Sequence, residues 1–338
     1  MHKMSSQLIF RIENLVKWFP VRRSLLDVIR RREKLYVRAV DGISFDIRKG
    51  EIFALVGESG SGKTTTGLLL IRLHQPTSGR IIYKGEWNLA VMTEEELKPF
   101  RKELQIVWQD PYGALNPKMT IREILEEPLL FLTDLDPDQR LEKIIETMRE
   151  VNLVPVEEFL HKFPVELSGG QRQRVVVAKA LVVEPEFVVA DEPVSMVDVS
   201  MRAAILGILE RARRKRGVTI LYITHDLATA GYIADRMAVM YLGKIFEMGP
   251  ADRVLTEPLN PYSKALISAT PIPDPTVKRE RIILKGEIPS PIYLPPGCRF
   301  WPRCPWAMDI CRKKEPPLVQ VERDRWVYCW LFAEEQAG

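Results

Sequence analysis

The sequence predicts an α/β fold built on a mainly parallel sheet, and three observations carry that expectation. Apolar runs at 52–56, 187–190 and 218–223 have the composition of strands covered on both faces. Helical patterns alternate with such runs over most of the chain, as in a series of β–α units. The first run also leads straight into Gly57-Glu58-Ser59-Gly60-Ser61-Gly62-Lys63-Thr64, and a helical pattern through Leu68, Leu69, Leu70 and Leu73 follows. Between a strand and a helix, G-x-x-x-x-G-K-[ST] reads as a phosphate loop rather than a structural turn. Glycines let backbone N–H groups converge on an anion, and the following helix start adds partial positive charge. Lys63 is placed to reach β- and γ-phosphates, and the Thr64 hydroxyl to ligate Mg²⁺.

At 338 residues the chain has room for one large domain and a smaller one. A hydrophobic content of 46% supports a sizeable core, while a net charge of +4 is too small to suggest a nucleic-acid binder. No apolar run approaches the roughly 20 residues of a spanning helix. The start, Met1-His2-Lys3-Met4-Ser5-Ser6-Gln7, lacks a signal-peptide pattern. The expectation is a cytosolic protein whose membrane role is peripheral.

In chain order, residues 8–19 alternate as an early strand that Pro20 ends. Residues 21–35, with Arg22, Arg23, Arg30, Arg31, Arg32 and Lys34, read as a surface excursion, either simply solvated or attracted to anionic lipid. Residues 43–47 alternate cleanly as a strand before the one that delivers the loop, and 80–83 form another short strand. Helical segments at 94–100, 121–131, 137–151 and 171–182 predict a helical subdomain over about 94–178. After the strand at 187–192, Asp198 or Ser200 caps a helix that ends in basic residues before Gly217. Prolines at 258, 261, 271, 273, 275, 289, 291, 295 and 296 predict a largely extended linker over 257–297. The first 256 residues are thus one domain, and 257–338 a linker and cysteine-bearing tail.

Asp191 and Glu192 end a buried strand, where acids are expensive without a cation or donors. Asp191 suits Mg²⁺, and Glu192 suits the orientation or deprotonation of an attacking water. His225 ends its own strand, where its ring can contact a γ-phosphate, and Gln109 can sense Mg²⁺ or the water. Leu167-Ser168-Gly169-Gly170-Gln171 opens a helix and is a second anion-binding N-terminus. One site does not need two such loops, so a pair of subunits is expected in which each closes the partner's phosphate site.

These stretches resemble, in order and spacing, the ATP-binding cassette ATPases over about residues 8–250. The resemblance implies a RecA-like core sheet with a helical subdomain. It implies ATP held by Ser59, Gly60, Ser61, Gly62, Lys63, Thr64 and Thr65, and Mg²⁺ held by Thr64, Gln109 and Asp191. Glu192, His225 and Gln109 would be catalytic, with Ser168, Gly169 and Gly170 acting on the partner's nucleotide and Asp198 in the loop across the dimer seam. Met196 and Val197 depart from that loop's usual Ala-Leu. Lys17-Trp18-Phe19-Pro20 resembles the place where an aromatic stacks on adenine; Phe19 is the choice and Tyr36 the competitor.

The stretches 109–117 and 258–263, and a tail with Gly297-Cys298-Arg299-Phe300 and Arg303-Cys304-Pro305, are similar to the oligopeptide/dipeptide permease ATPases, more to their F-type member. That resemblance implies import of peptides, or of oligosaccharides as in some relatives, from the cytoplasmic face of the membrane. The implied partners are a D-type second ATPase, two membrane-spanning permease subunits and an extracytoplasmic solute-binding protein. A soluble cassette ATPase acting on nucleic acid or ribosomes is the alternative of another class. Cys298, Cys304, Cys311 and Cys329 have five, six and seventeen intervening residues, a set suited to Zn²⁺ or a four-iron cluster. The resemblance implies a [4Fe-4S] cluster at these cysteines, with zinc second.

Overall fold

The structure, a computed structural model, describes residues 7–21, 23, 34–270, 282–284 and 286–333. Met1–Ser6 of the N-terminal reading, Arg22 and Arg30–Arg32 of the basic excursion, and Pro271, Pro273 and Pro275 of the expected linker lie outside the described residues. Strands β1 (Leu8–Pro20), β2 (Tyr36–Arg48), β3 (Ile52–Val56), β4 (Ser78–Tyr83), β5 (Trp87–Asn88) and β6 (Leu104–Val107) come first. They are followed by β7 (Phe187–Asp191), β8 (Thr219–Thr224), β9 (Arg236–Tyr241), β10 (Lys244–Pro250), β11 (Leu318–Glu322) and β12 (Arg325–Tyr328). Within the described residues the chain divides into two compact units, one spanning 1–9, 48–52 and 91–223, the other 10–47, 53–90 and 224–338.

The first unit holds β8, β7 and β6 side by side in that order, all parallel, with Leu104 opposite Phe187 and Phe187 opposite Thr219. Every residue of β7 is buried, as a strand covered on both faces requires. The expected helices are present at Ile121–Leu132, Pro137–Glu150 and Gly169–Leu181, each opened by a reciprocal cap in which a Thr, Asp or Ser and the residue three later bond one another's backbone. The segment expected as a helix over 94–100 is α-helical only over Glu94–Leu97 and continues as a 3₁₀ turn through Arg101. Pro99 lacks the N–H that an α-helix would use there. The helix Val199–Arg216 closes on Gly217 in the left-handed conformation after four basic residues in its last turn.

The second unit holds a sheet in the order β2-β1-β4-β5 and, separately, strands in the order β11-β12-β10-β9-β3. The parallel expectation holds for β3 with β9, but β9–β10, β10–β12 and β11–β12 are antiparallel. Only Leu242 and Gly243 separate β9 from β10, and both have positive φ, which makes a tight hairpin and forbids a crossover.

The expected extended linker is corrected over 261–268, which is a helix. The Asn260 side chain accepts from the Tyr262 amide, Pro261 occupies the first turn, and Tyr262, Ala265 and Ile267 are buried. The tail joins the sheet through β12, which pairs with β10. Arg325 and Glu247, 1% and 0% exposed, form an ion pair there, and Glu247 also accepts from the Leu259 and Asn260 amides. A buried charge pair needs such added donors to offset its desolvation.

Candidate nucleotide site

The phosphate loop lies in the second unit, between β3 and the helix Lys63–Leu70. Two glycines fix its path against neighbouring backbone. At Gly57 (φ 151°) an added Cβ would lie 2.2 Å from the Met240 carbonyl oxygen, and at Gly62 (φ 106°) one would lie 2.1 Å from that of Ala39. Lys63 is buried and its ammonium donates to the carbonyls of Gly57 at 2.8 Å and Glu58 at 2.9 Å. Around it Ser59, Gly60 and Thr64 are exposed, Thr65 is half-buried, and Ser61 is buried with its hydroxyl 3.4 Å from the ammonium. The helix start has no side-chain cap, and a Cβ at Gly60 would meet nothing within 4 Å. An uncapped helix N-terminus, a lysine and open space above a glycine fit a triphosphate.

Both candidates for the adenine contact are in this unit. Phe19 packs edge-on against His74 with centroids 5.5 Å apart, and Lys17 lies over it at 4.8 Å. Tyr36 packs against Trp18 at 6.1 Å; the Trp18 ring also lies against the Arg38 guanidinium, and its indole N–H donates to Asp41. His225 is exposed at the end of β8, and the next residue, Asp226, caps the helix Leu227–Ile233.

The acids belong to the first unit. Asp191 ends β7 and is 3% exposed. Glu192 follows in a left-handed conformation, φ 44°, held by a bond from its N–H to the Ile223 carbonyl and by Ser195, whose N–H and hydroxyl both donate to the Glu192 carbonyl. Left-handed backbone at a non-glycine residue is kept only where the surroundings enforce it, and such positions gather at functional sites. The Gln109 amide donates to Glu192 Oε2 at 3.1 Å, so these two sequence-predicted residues meet. Ser168 caps its helix through the Gln171 amide at 3.3 Å, and a Cβ on Gly169 would meet nothing within 4 Å. The Met201 side chain crowds Gly170. Asp198 occupies the cap position of the helix Val199–Arg216, but its carboxylate makes no capping bond, and Ser200 lies inside the helix. The expected side-chain cap at either residue is therefore absent.

The family description "ABC transporter" matches residues 40–195, and "Oligopeptide/dipeptide transporter, C-terminal region" matches residues 246–311. The YkfD protein of Bacillus subtilis is 48% identical over 303 residues, covering 89% of this chain and 91% of that protein. The chain belongs to the ATP-binding cassette ATPases. Its similarity extends to the oligopeptide transport ATP-binding protein AppF of the same organism, 42% identical over 97% of this chain and 99% of that one. Among solved structures, the ATP-binding cassette MJ0796, a dimer bound to ADP and phosphate, is similar with a TM-score of 0.62 at 26% identity. That match covers 72% of this chain and 98% of MJ0796. The chain is thus an ATPase with the cassette fold.

The expected metal centre of this cassette ATPase is not preformed. Among the described residues no group of three or more His, Cys, Asp or Glu side chains is arranged to hold a metal ion. Cys298, Cys304, Cys311 and Cys329 are all free thiols. Burial pushes the Cys298 thiol up to about 12 and Cys329 to about 11, and raises Cys304 as well; the neighbouring thiols add to each rise.

Two contacts of the phosphate loop escaped sequence reasoning. Arg303 grips Glu58 with two bonds, and the Tyr262 hydroxyl oxygen accepts from the Glu58 amide at 3.1 Å. Behind them, Arg299 pairs with Asp41. Burial works to raise the Asp41 carboxyl, but the Arg299 bond and charge, with the Trp18 indole, outweigh it and hold that group below its usual range. Both tail stretches were visible as motifs; with Arg303 and Glu58 separated by 245 positions in sequence, no local signal connects them to the loop.

Proposed function

We propose that this chain is the ATP-hydrolysing subunit of a peptide importer, an oligosaccharide cargo being the lesser reading. What carries the proposal is the pairing, in one chain, of a cassette at 40–195 with the oligopeptide/dipeptide transporter C-terminal region at 246–311. Residues to about 256 form the nucleotide-binding domain, and 257–338 its extension. Among the described residues no helix is long and apolar enough to cross a membrane. In this reading the spanning part comes from two permease subunits, a D-type ATPase forms the second cassette, and an extracytoplasmic protein delivers the solute. The chain would work on the cytoplasmic face of the membrane as a heterodimer.

ATP lies along residues 59–65, with Phe19 ahead of Tyr36 as its adenine contact. Thr64, Gln109 and Asp191 would hold Mg²⁺, which supplies charge neutralisation at the β- and γ-phosphates. Glu192 accepts a proton from the attacking water, positioned by the 3.1 Å bond from Gln109, and His225 contacts the γ-phosphate. Ser168, Gly169 and Gly170 face the partner's nucleotide, with Asp198 at the seam. ATP then favours the closed pair, because it bridges two cassettes only when they meet.

Affinity purification from detergent-solubilised membranes tests the assembly. Two spanning subunits and a second cassette are expected to co-purify; RNA or ribosomal proteins in their place would support the soluble alternative and overturn this one. For the tail, we propose a [4Fe-4S] cluster at Cys298, Cys304, Cys311 and Cys329 in preference to zinc. Four unbridged thiols in one short region support it, and loading would release protons from groups that burial keeps protonated. Protein purified without oxygen is expected to contain four iron and four sulfide per chain, about. One zinc without sulfide would replace the cluster, and neither metal would remove the site.

A further inference from the structure

Glu58 is the second residue of the phosphate loop, and the hydrolysis scheme gives its carboxylate no task. Its carboxylate and its amide are nonetheless both held from outside the loop. Arg303 Nη1 donates to Glu58 Oε2 at 2.9 Å and Nη2 to Oε1 at 3.1 Å, the parallel two-bond fork that arginine makes with a carboxylate. The Arg303 side chain is 9% exposed and also bonds the Tyr241 hydroxyl at 3.4 Å. The Glu58 amide is taken by Tyr262, and the Glu58 carbonyl receives the Lys63 ammonium at 2.9 Å. Glu58 is thus one of the groups that set where Lys63 rests, beside the Gly57 carbonyl at 2.8 Å and the Ser61 hydroxyl at 3.4 Å.

The segment that supplies Arg303 is itself rigidly placed. Successive turn bonds run from Trp301 N to Cys298 O, Arg303 N to Phe300 O and Cys304 N to Trp301 O. Phe300, 1% exposed, packs among Tyr241, Phe246 and Tyr262 with centroids 5.3–6.4 Å away. Four residues before Arg303, the buried Arg299 binds Asp41 and the Leu242 carbonyl, and Asp41 also accepts from Trp18. All these residues belong to one compact unit. The short stretch 298–304 thus reaches the loop through Arg303 and the strand beside it through Arg299.

We propose that Arg303 is a positioning residue for nucleotide binding: through Glu58 it fixes the backbone of the phosphate loop and the resting position of Lys63. Removing the guanidinium leaves the Glu58 carboxylate without its fork and loosens one of the carbonyls that orient the lysine. The consequence falls on affinity for ATP rather than on the chemical step, because Arg303 bonds Glu58 and Tyr241, while proton transfer is assigned to Glu192. The proposal rests on the reading of residues 57–64 as the phosphate site.

The test is titration of the purified full-length chain with a fluorescent ATP analogue, paired with steady-state hydrolysis. Arg303→Met keeps the apolar stem and is expected to weaken analogue binding about tenfold and raise KM for ATP in step, the scale on which supporting contacts act at other sites, with kcat within about twofold. Glu58→Gln is expected to give a similar loss, and the double variant no more than the larger single one, since both remove the same interaction. Should Arg303→Met fail to fold, Glu58→Gln alone decides, because it leaves the tail and its Tyr241 contact in place. Unchanged affinity in the decisive variant, or additive losses in the pair, overturns the positioning role and leaves Arg303 as a fastening of the tail. Lys63→Ala is the control: if it binds the analogue as tightly as the parent, the phosphate-site reading fails. If it alone loses binding, only the positioning role does.

Discussion

Glu192→Gln is expected to retain ATP binding within about twofold while hydrolysis falls by about a hundredfold or more, the range over which a general base acts. The substitution is nearly isosteric, and the left-handed turn that projects the side chain depends on backbone bonds to Ile223 and Ser195, which it leaves alone. The Gln109 amide still finds an acceptor, because the new side chain keeps one oxygen. What disappears is a group able to take a proton from water. Phosphate release and nucleotide titration on the same protein separate the two quantities. Near-normal turnover would move the base elsewhere, and His225 would be the first residue to examine. The variant also offers a test of the paired cassette, since ATP that is bound and not cleaved holds the closed state. A photo-crosslinking amino acid at position 169, where an added side chain meets open space, is expected to capture the partner's lysine loop only when ATP is present. Capture that is equal without ATP would argue against a nucleotide-bridged pair.

Much of this architecture was legible in the sequence because local chemistry dictates it. The strand β7 is an uninterrupted apolar run, and a fully buried parallel strand admits nothing else. The helices at 121–132, 137–150 and 169–181 announce their starts through Thr120, Asp136 and Ser168, each with a partner three residues on. The phosphate loop, Gln109 and Glu192 were likewise visible, and the last two do meet. What was hidden depends on residues distant in sequence. The hairpin between β9 and β10 turns on Leu242 and Gly243, and a leucine with φ 42° carries none of the usual turn signals. Prolines suggested an extended stretch after residue 256, yet Pro261 stands where a helix tolerates proline, behind an Asn260 cap. The four cysteines suggested a metal centre, but thiol count says nothing of whether the side chains are preset as ligands, and they are not. Least visible of all was the link from Arg303 to Glu58, because charge complementarity across 245 residues leaves no pattern in either segment.

Gly62→Ala is expected to abolish nucleotide binding, and comparison with Gly60→Ala isolates why. Both glycines have positive φ, 106° and 76°, so alanine is strained at either place, by about 1–2 kcal/mol in the left-handed region. The surroundings differ. At Gly60 the new methyl meets nothing within 4 Å, whereas at Gly62 it would lie 2.1 Å from the Ala39 carbonyl oxygen and 3.3 Å from its carbon. Those are backbone atoms of β2, next to Val40, which is fully buried, so neither can swing away as a flexible side chain would. The loop must move instead, and Gly62 is the residue from which the helix Lys63–Leu70 starts and whose carbonyl accepts from the Thr66 amide and hydroxyl. Displacing it shifts Lys63 and the first helical turn together, which are the parts that meet the phosphates. Gly60→Ala should therefore show a small drop in Tm and ATP analogue binding weakened by no more than about thirtyfold, as strain of that size allows. Gly62→Ala should show a larger drop in Tm and no measurable binding. Matching values for the two variants would mean that β2 yields to the methyl group, and that the close approach of Ala39 does not set the path of the loop.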